Sequence, residues 1–237
     1  MSVGAPSRSS SRVWPSGLLP AVGLACLAGC ALAAATGGVR AIGPSLLALA
    51  VLVVFLVVKL PGHYPHRRFG WCNAVTLLRA ALVAVLFGLL WAAAHGWPVL
   101  AIAAVGLALD GLDGWLARRE RLVSGFGARF DMETDAALAL ILAAHAWLAG
   151  MTGAEILILG VMRYVFVLAF LPCPWLAAPL PERFGRKLVC VVQIAALILL
   201  QVPTLPPTAA ALIAWPAVAA LLWSFGRDTL WLWRNRE

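Results

Sequence analysis

Long apolar stretches separated by short polar ones run through this chain. Eight of them, at about 15–37, 41–59, 74–95, 97–116, 132–150, 154–173, 187–203 and 207–225, approach the roughly 20 residues with which a helix crosses a 30 Å hydrocarbon core. They are continuous and rich in Ala, Leu and Val, without the strict alternation of a barrel strand, so their backbone must be satisfied within helices. The pattern predicts an all-α polytopic membrane protein with eight transmembrane helices. The first two spans contain no acidic residue and read as an accessory two-helix hairpin, which with its linker fills 15–71. A six-helix core follows at 72–226. Residues 1–14, polar and Ser-rich, read as a disordered cytoplasmic terminus, and 227–237 as a cytoplasmic tail.

Composition sharpens this picture. Hydrophobic residues make up 63% of 237 and charged residues 12%, with a mean hydropathy of +0.94, values outside the range of a water-soluble globule. A net charge of +8 could point to nucleic acid, but the Lys and Arg sit in short groups at span ends and form no single basic surface, so no nucleic-acid partner is expected. Topology accounts for them better. With the amino terminus in the cytoplasm, fifteen of the eighteen basic residues fall inside and only Arg40 falls outside. The other two, Arg79 and Arg163, lie within spans, where a charge is costly and marks a functional candidate. The five cysteines have no metal-type spacing and read as free thiols. "LAGC" at 27–30 has the look of a lipoprotein processing site but reads as part of a first span rich in small residues.

The chemistry concentrates in "DGLDGWLARRERLVSGFGARFDMETD", residues 110–135. On a helix Asp110, Asp113, Gly114 and Ala117 share one face, and so do Gly127, Asp131 and Asp135 on the next. Two antiparallel helices thereby converge four carboxylates and several small residues on one cavity. Such charges repel in a partly desolvated place and need protons or cations to offset them. Hard divalent ions suit them, and Mg²⁺ in particular combines a few carboxylates with water and substrate phosphate oxygens. Arg118 adds a donor suited to phosphate. Glu120, Arg119 and Arg121 read as solvated flanks.

This stretch fits D-x-x-D-G-x-x-A-R, eight residues, G-x-x-x-D-x-x-x-D at every fixed position, and "NAVTLLR" at 73–79 resembles the start of a first core helix. On these residues the chain resembles the CDP-alcohol phosphotransferase family. The resemblance implies a dimeric enzyme of phospholipid synthesis, set in a bacterial inner membrane with both termini and the active site cytoplasmic. It would move a phospho-alcohol group from a CDP-alcohol, most simply CDP-diacylglycerol, to an acceptor hydroxyl with release of CMP. It further implies that Asp110, Asp113, Asp131 and Asp135 bind two divalent ions, Mg²⁺ or Mn²⁺, with Asp135 also the base. The nucleotide would lie against Asn73, Thr76, Asp113, Gly114, Ala117, Arg118, Ser124 and Gly127.

Arg163, Arg183, Arg186 and Lys187 form a candidate acceptor site. Family members often carry a second Lys and a Thr on the way to a Gln in this helix; here Lys187 and Gln193 match, but Val189 and Cys190 take the other places. His145 reads as a hydrogen-bonded core residue, His63 and His66 as headgroup-zone residues, and the tryptophans near span ends as an aromatic belt. A transporter holding Mg²⁺ for passage is the alternative. It should carry polar groups through the outer half of its bundle and often an inverted repeat, whereas the outer halves here are apolar and no repeat is visible. A catalytically silent relative is a third reading, against which all four aspartates are present.

Overall fold

The structure, a computed structural model, describes residues 14–236 apart from 121, 123, 179, 182 and 183, with the side chains of 61–63 and 184 also undescribed. The expected disordered terminus and Arg183 thus lie outside the described residues. Among these, the chain is all-helical with no strand: α1 (Leu18–His63), α2 (Gly70–Trp91), α3 (Trp97–Glu120), α4 (Gly125–Leu148), α5 (Leu157–Leu168), α6 (Phe184–Leu199) and α7 (Pro207–Arg234). Short 3₁₀ turns at Ala154–Ile156 and Pro174–Ala177 flank α5.

Helix α1 covers both of the first two expected spans and is not straight. Gly38 sits at φ 62° and ψ −158°, a conformation open only to glycine, and the chain turns back there. A Cβ on Gly29 would lie 3.3 Å from Leu49, and beyond the helix ends Ser16 N donates to the Arg67 carbonyl (2.8 Å) while Phe69 N donates to Ser16 O (3.1 Å). The second half of α1 lies tightly on α2: a Cβ on Gly88 would fall 1.9 Å from Ser45 Oγ and 2.5 Å from the Ala41 carbonyl, so only glycine admits this approach.

Among the described residues, four helices are long and apolar enough to cross a membrane: Leu18–Leu60, Gly70–Trp91, Trp97–Glu120 and Pro207–Arg234. Large apolar side chains including Leu19, Val39, Leu171, Leu212 and Trp223 face outwards, the surface that lipid as solvent calls for. The sixth and seventh expected spans are shorter than the hydropathy pattern suggests. α5 stops after 12 residues at Leu168, ahead of Pro172 and Pro174, and α6 has 16. Apolar runs continue past helix ends into turns, which hydropathy does not distinguish.

Helix starts position the site. Ser124 caps α4, its Oγ accepting from Gly127 N at 3.0 Å. The Glu120 carboxylate, at the end of α3, accepts from Trp71 N and Cys72 N at 3.2 Å each, meeting the exposed donors at the start of α2. Glu120 is thus a cap between two helices, not the solvated flank expected. Two apolar clusters support this frame, one of α1, α2 and the start of α4, the other chiefly of α2, α4, α6 and α7.

Candidate active site

Arg79 of α2 is the hub. Its guanidinium reaches Asp110 Oδ1 and Asp113 Oδ2 at 2.8 Å each, Asp135 Oδ1 at 2.5 Å, and Asp131. The two facing stripes of α3 and α4 therefore close on one buried cation. Arg79 and Asp113 are almost inaccessible, with side-chain exposures of 3% and 7%, whereas Asp110, Asp131 and Asp135 stay about 40% exposed. The floor is dry and the mouth open. Thr76 Oγ1 donates to Asp113 Oδ2 at 3.0 Å, so that Asp113 is held from two turns of the same helix.

The fit of this set to hard cations can be judged from its donors. Asp110, Asp113 and Asp131 each offer an oxygen within 4.8 Å of the others, and Asp135 stands beside them on Arg79. All are carboxylate oxygens with no sulfur or imidazole among them, the donor chemistry of Mg²⁺ or Mn²⁺. The cluster already draws positive charge to its centre in the form of Arg79.

At one side lie the residues expected to meet a nucleotide. Asn73 is buried, and its Nδ2 donates to Tyr64 Oη at 2.8 Å and to the Phe69 carbonyl. A Cβ on Gly127 would stand 3.2 Å from Ser124 Oγ and 3.5 Å from Asn73 Oδ1, so these three residues stand together at the start of α4. Gly114, Ala117 and Arg118 lie on the last turns of α3, and the nearest group to a Cβ on Gly114 is the Arg118 guanidinium at 3.7 Å.

The expected acceptor residues are engaged differently. Arg163 on α5 pairs with Glu133 at 2.5 Å, and Arg186 at the start of α6 pairs through Nε with Asp228 at 3.0 Å while donating to the Pro181 carbonyl at 2.8 Å. Asp228, on α7, is buried and also lies 3.9 Å from Arg227. Lys187 is in the first turn of α6. Gln193 Nε2 donates to the Leu159 carbonyl.

Sequence reasoning flagged Arg79 only as a charge inside a span and missed Tyr64, Glu133 and Asp228. The signal for Glu133 was its place between Asp131 and Asp135, off their stripe; for Asp228, its isolation at the end of an apolar run. His145 is fully buried as expected, its ring 2.9 Å from both the Leu86 carbonyl and His95 Nδ1.

Among the described residues the chain is all-helical and apolar, and the ends of two helices bring four carboxylates around one buried arginine, an arrangement suited to a membrane protein that handles a charged group. The profile of the CDP-alcohol phosphatidyltransferase family matches residues 70–223, about two thirds of the chain. The chain belongs to that family, whose members transfer a phospho-alcohol group in phospholipid synthesis and use divalent metal ions. No curated protein and no solved structure matches it.

Proposed function

We propose that this protein transfers a phosphatidyl group from CDP-diacylglycerol to the hydroxyl of an acceptor alcohol, releasing CMP, at the cytoplasmic face of the membrane. The observation that carries this reading is the closure of Asp110, Asp113, Asp131 and Asp135 on the buried Arg79, at the end of α3 and the start of α4. Asp110, Asp113 and Asp131, with Asp135 alongside, would hold two divalent ions, which supply charge neutralisation for the diphosphate. Asn73, Thr76, Gly114, Arg118, Ser124 and Gly127 bind and orient the nucleotide, with the small residues giving it room. Asp135 takes the proton of the acceptor hydroxyl. The acceptor oxygen bonds to the lipid-side phosphorus as the bond from that phosphorus to CMP breaks, and CMP leaves with the electron pair. Orientation and electrostatics supply most of the acceleration for such an in-line transfer.

A diacylglycerol donor is supported by an apolar cavity of about 440 Å³ beside α4, lined by Leu52 and Phe55 of α1, Ala80 and Val83 of α2, and Phe130 and Thr134 of α4. It offers acyl chains an apolar surface between α1, α2 and α4. Arg163, Arg186 and Lys187 fit an anionic acceptor group, and Cys190 in place of a hydroxyl residue sets this acceptor end apart. We also read the chain as eight spans, with the halves of α1 on either side of Gly38 as a hairpin ahead of the six-helix core. A pair of chains as the working unit rests on the family resemblance alone.

The test supplies purified protein with labelled CDP-diacylglycerol, Mg²⁺ or Mn²⁺ and a panel of alcohols, following CMP and lipid product. CMP release that depends on both metal and alcohol is expected. Undiminished activity in EDTA, or no CMP with any alcohol, overturns the reading.

A further inference from the structure

The family match begins at residue 70, and the site described above gives the chain before it no part in the chemistry. Yet that earlier chain ends on the nucleotide side of the site. Tyr64 follows the last turn of α1, its backbone N–H bonded to the Leu60 carbonyl. Its ring rests edge-on against Phe126 of α4, with centroids 6.1 Å apart, and tilts against Phe69 at 6.5 Å. Its hydroxyl accepts from Asn73 Nδ2 at 2.8 Å and donates towards the carbonyls of Arg68 (2.8 Å) and Phe69 (3.2 Å).

These contacts determine which way the Asn73 amide faces. A backbone carbonyl can only accept, so the amino end of Asn73 must turn to Phe69 and Tyr64, and the amide oxygen must turn away from them. It turns towards Gly127, where Ser124 Oγ also stands. Burial pushes the Tyr64 phenol up to about 12, with smaller contributions from its neighbours, so the hydroxyl keeps its proton and the pattern does not change across the physiological range.

We propose that Tyr64 is a positioning residue for the nucleotide: through Asn73 it fixes an acceptor oxygen beside Gly127, where the exocyclic amine of cytosine is favoured over the carbonyl of uracil. The inference deepens the nucleotide reading and rests on it. A site built around an acceptor rejects a ligand that presents another acceptor, because both are then left unpaired on burial. The segment before the family core thereby contributes to base selection without touching the phosphates.

The test measures inhibition of CDP-diacylglycerol turnover by CMP and by UMP, using the full-length protein with Mg²⁺. Tyr64→Phe keeps the ring contacts and removes only the hydroxyl. Its CMP inhibition constant is expected to rise about 3- to 10-fold, with UMP inhibition, kcat, acceptor KM and unfolding temperature nearly unchanged. Asn73→Ala should weaken CMP at least as much. If Asn73→Ala weakens CMP but Tyr64→Phe does not, or if Tyr64→Phe weakens CMP and UMP equally, the inference is overturned while the nucleotide reading stands. If Asn73→Ala leaves CMP inhibition unchanged, the nucleotide reading itself fails.

Discussion

The two sides of this site are held by different kinds of contact. On the proposed nucleotide side and across the carboxylate floor the holding groups are chiefly buried, Arg79 and Thr76 on Asp113, with the half-buried Ser124 capping the start of α4. On the acceptor side, Arg163 and Arg186 are partly exposed and lie against Glu133 and Asp228, with the helices that carry them short and bounded by turns. The first side is built for one geometry. The second is held by ion pairs that an anionic ligand can replace, so on the proposed reading variation in the acceptor enters there without disturbing the carboxylates.

Substitutions on the two sides should therefore differ in kind as well as in size. Asp131→Asn takes a carboxylate from the centre, and CMP release should fall about 10⁴-fold, several kcal/mol of transition-state stabilisation, with weaker divalent-cation binding measured by calorimetry. A protein that keeps its activity would remove the centre from the comparison. Asp135→Asn retains an oxygen but cannot take the proton: turnover should drop about 10²–10⁴-fold with CDP-alcohol and metal binding kept, and excess Mn²⁺ should not restore it. Rescue by metal would make Asp135 mainly a ligand.

Arg79→Met leaves the four carboxylates without their shared partner. In EDTA it should lose about 3–5 kcal/mol of stability, the cost of breaking a buried ion pair, and Mg²⁺ should restore part of it. An unchanged unfolding temperature would mean that the floor needs no internal cation. On the acceptor side Arg186→Gln should raise the acceptor KM about tenfold while the donor KM and kcat hold. An equal fall in kcat would instead place Arg186 in the reaction centre. Glu133→Gln should cost less than about 1 kcal/mol, because its pair with Arg163 is only partly buried. A larger loss would show the acceptor side to be as rigid as the floor.

The carboxylate floor was legible in the sequence because its geometry is local. Asp110 and Asp113, then Asp131 and Asp135, reach a common face through helical spacing alone, and the two helices are joined by a short turn. Arg79 as hub was only half legible: its cost inside a span announced a role, but its partners lie 31 to 56 residues away and depend on how α2 enters between α3 and α4. The pairs Arg163 with Glu133 and Arg186 with Asp228 follow from the packing of α5, α6 and α7, which no spacing encodes. Glu120 was misread because charge at a helix end looks the same whether it faces water or the start of another helix. The lengths of α5 and α6 were overestimated because apolarity continues through Pro172, Pro174 and Pro203, where helical hydrogen bonding does not.

The reciprocal backbone bonds between Ser16 and the Arg67–Phe69 segment bear on the order in which this protein is assembled. They close a loop spanning 51 residues, whose length-dependent entropy cost is on the order of 3–4 kcal/mol. Everything that closure requires, including the turn at Gly38, precedes the four aspartates of the cluster in the order of synthesis. The first third of the chain can thus fold back early and present Tyr64 and the face around Ser45 to α2 as it arrives. The acidic helices then enter a membrane where their first partner is already in place, so the four carboxylates meet Arg79 instead of one another.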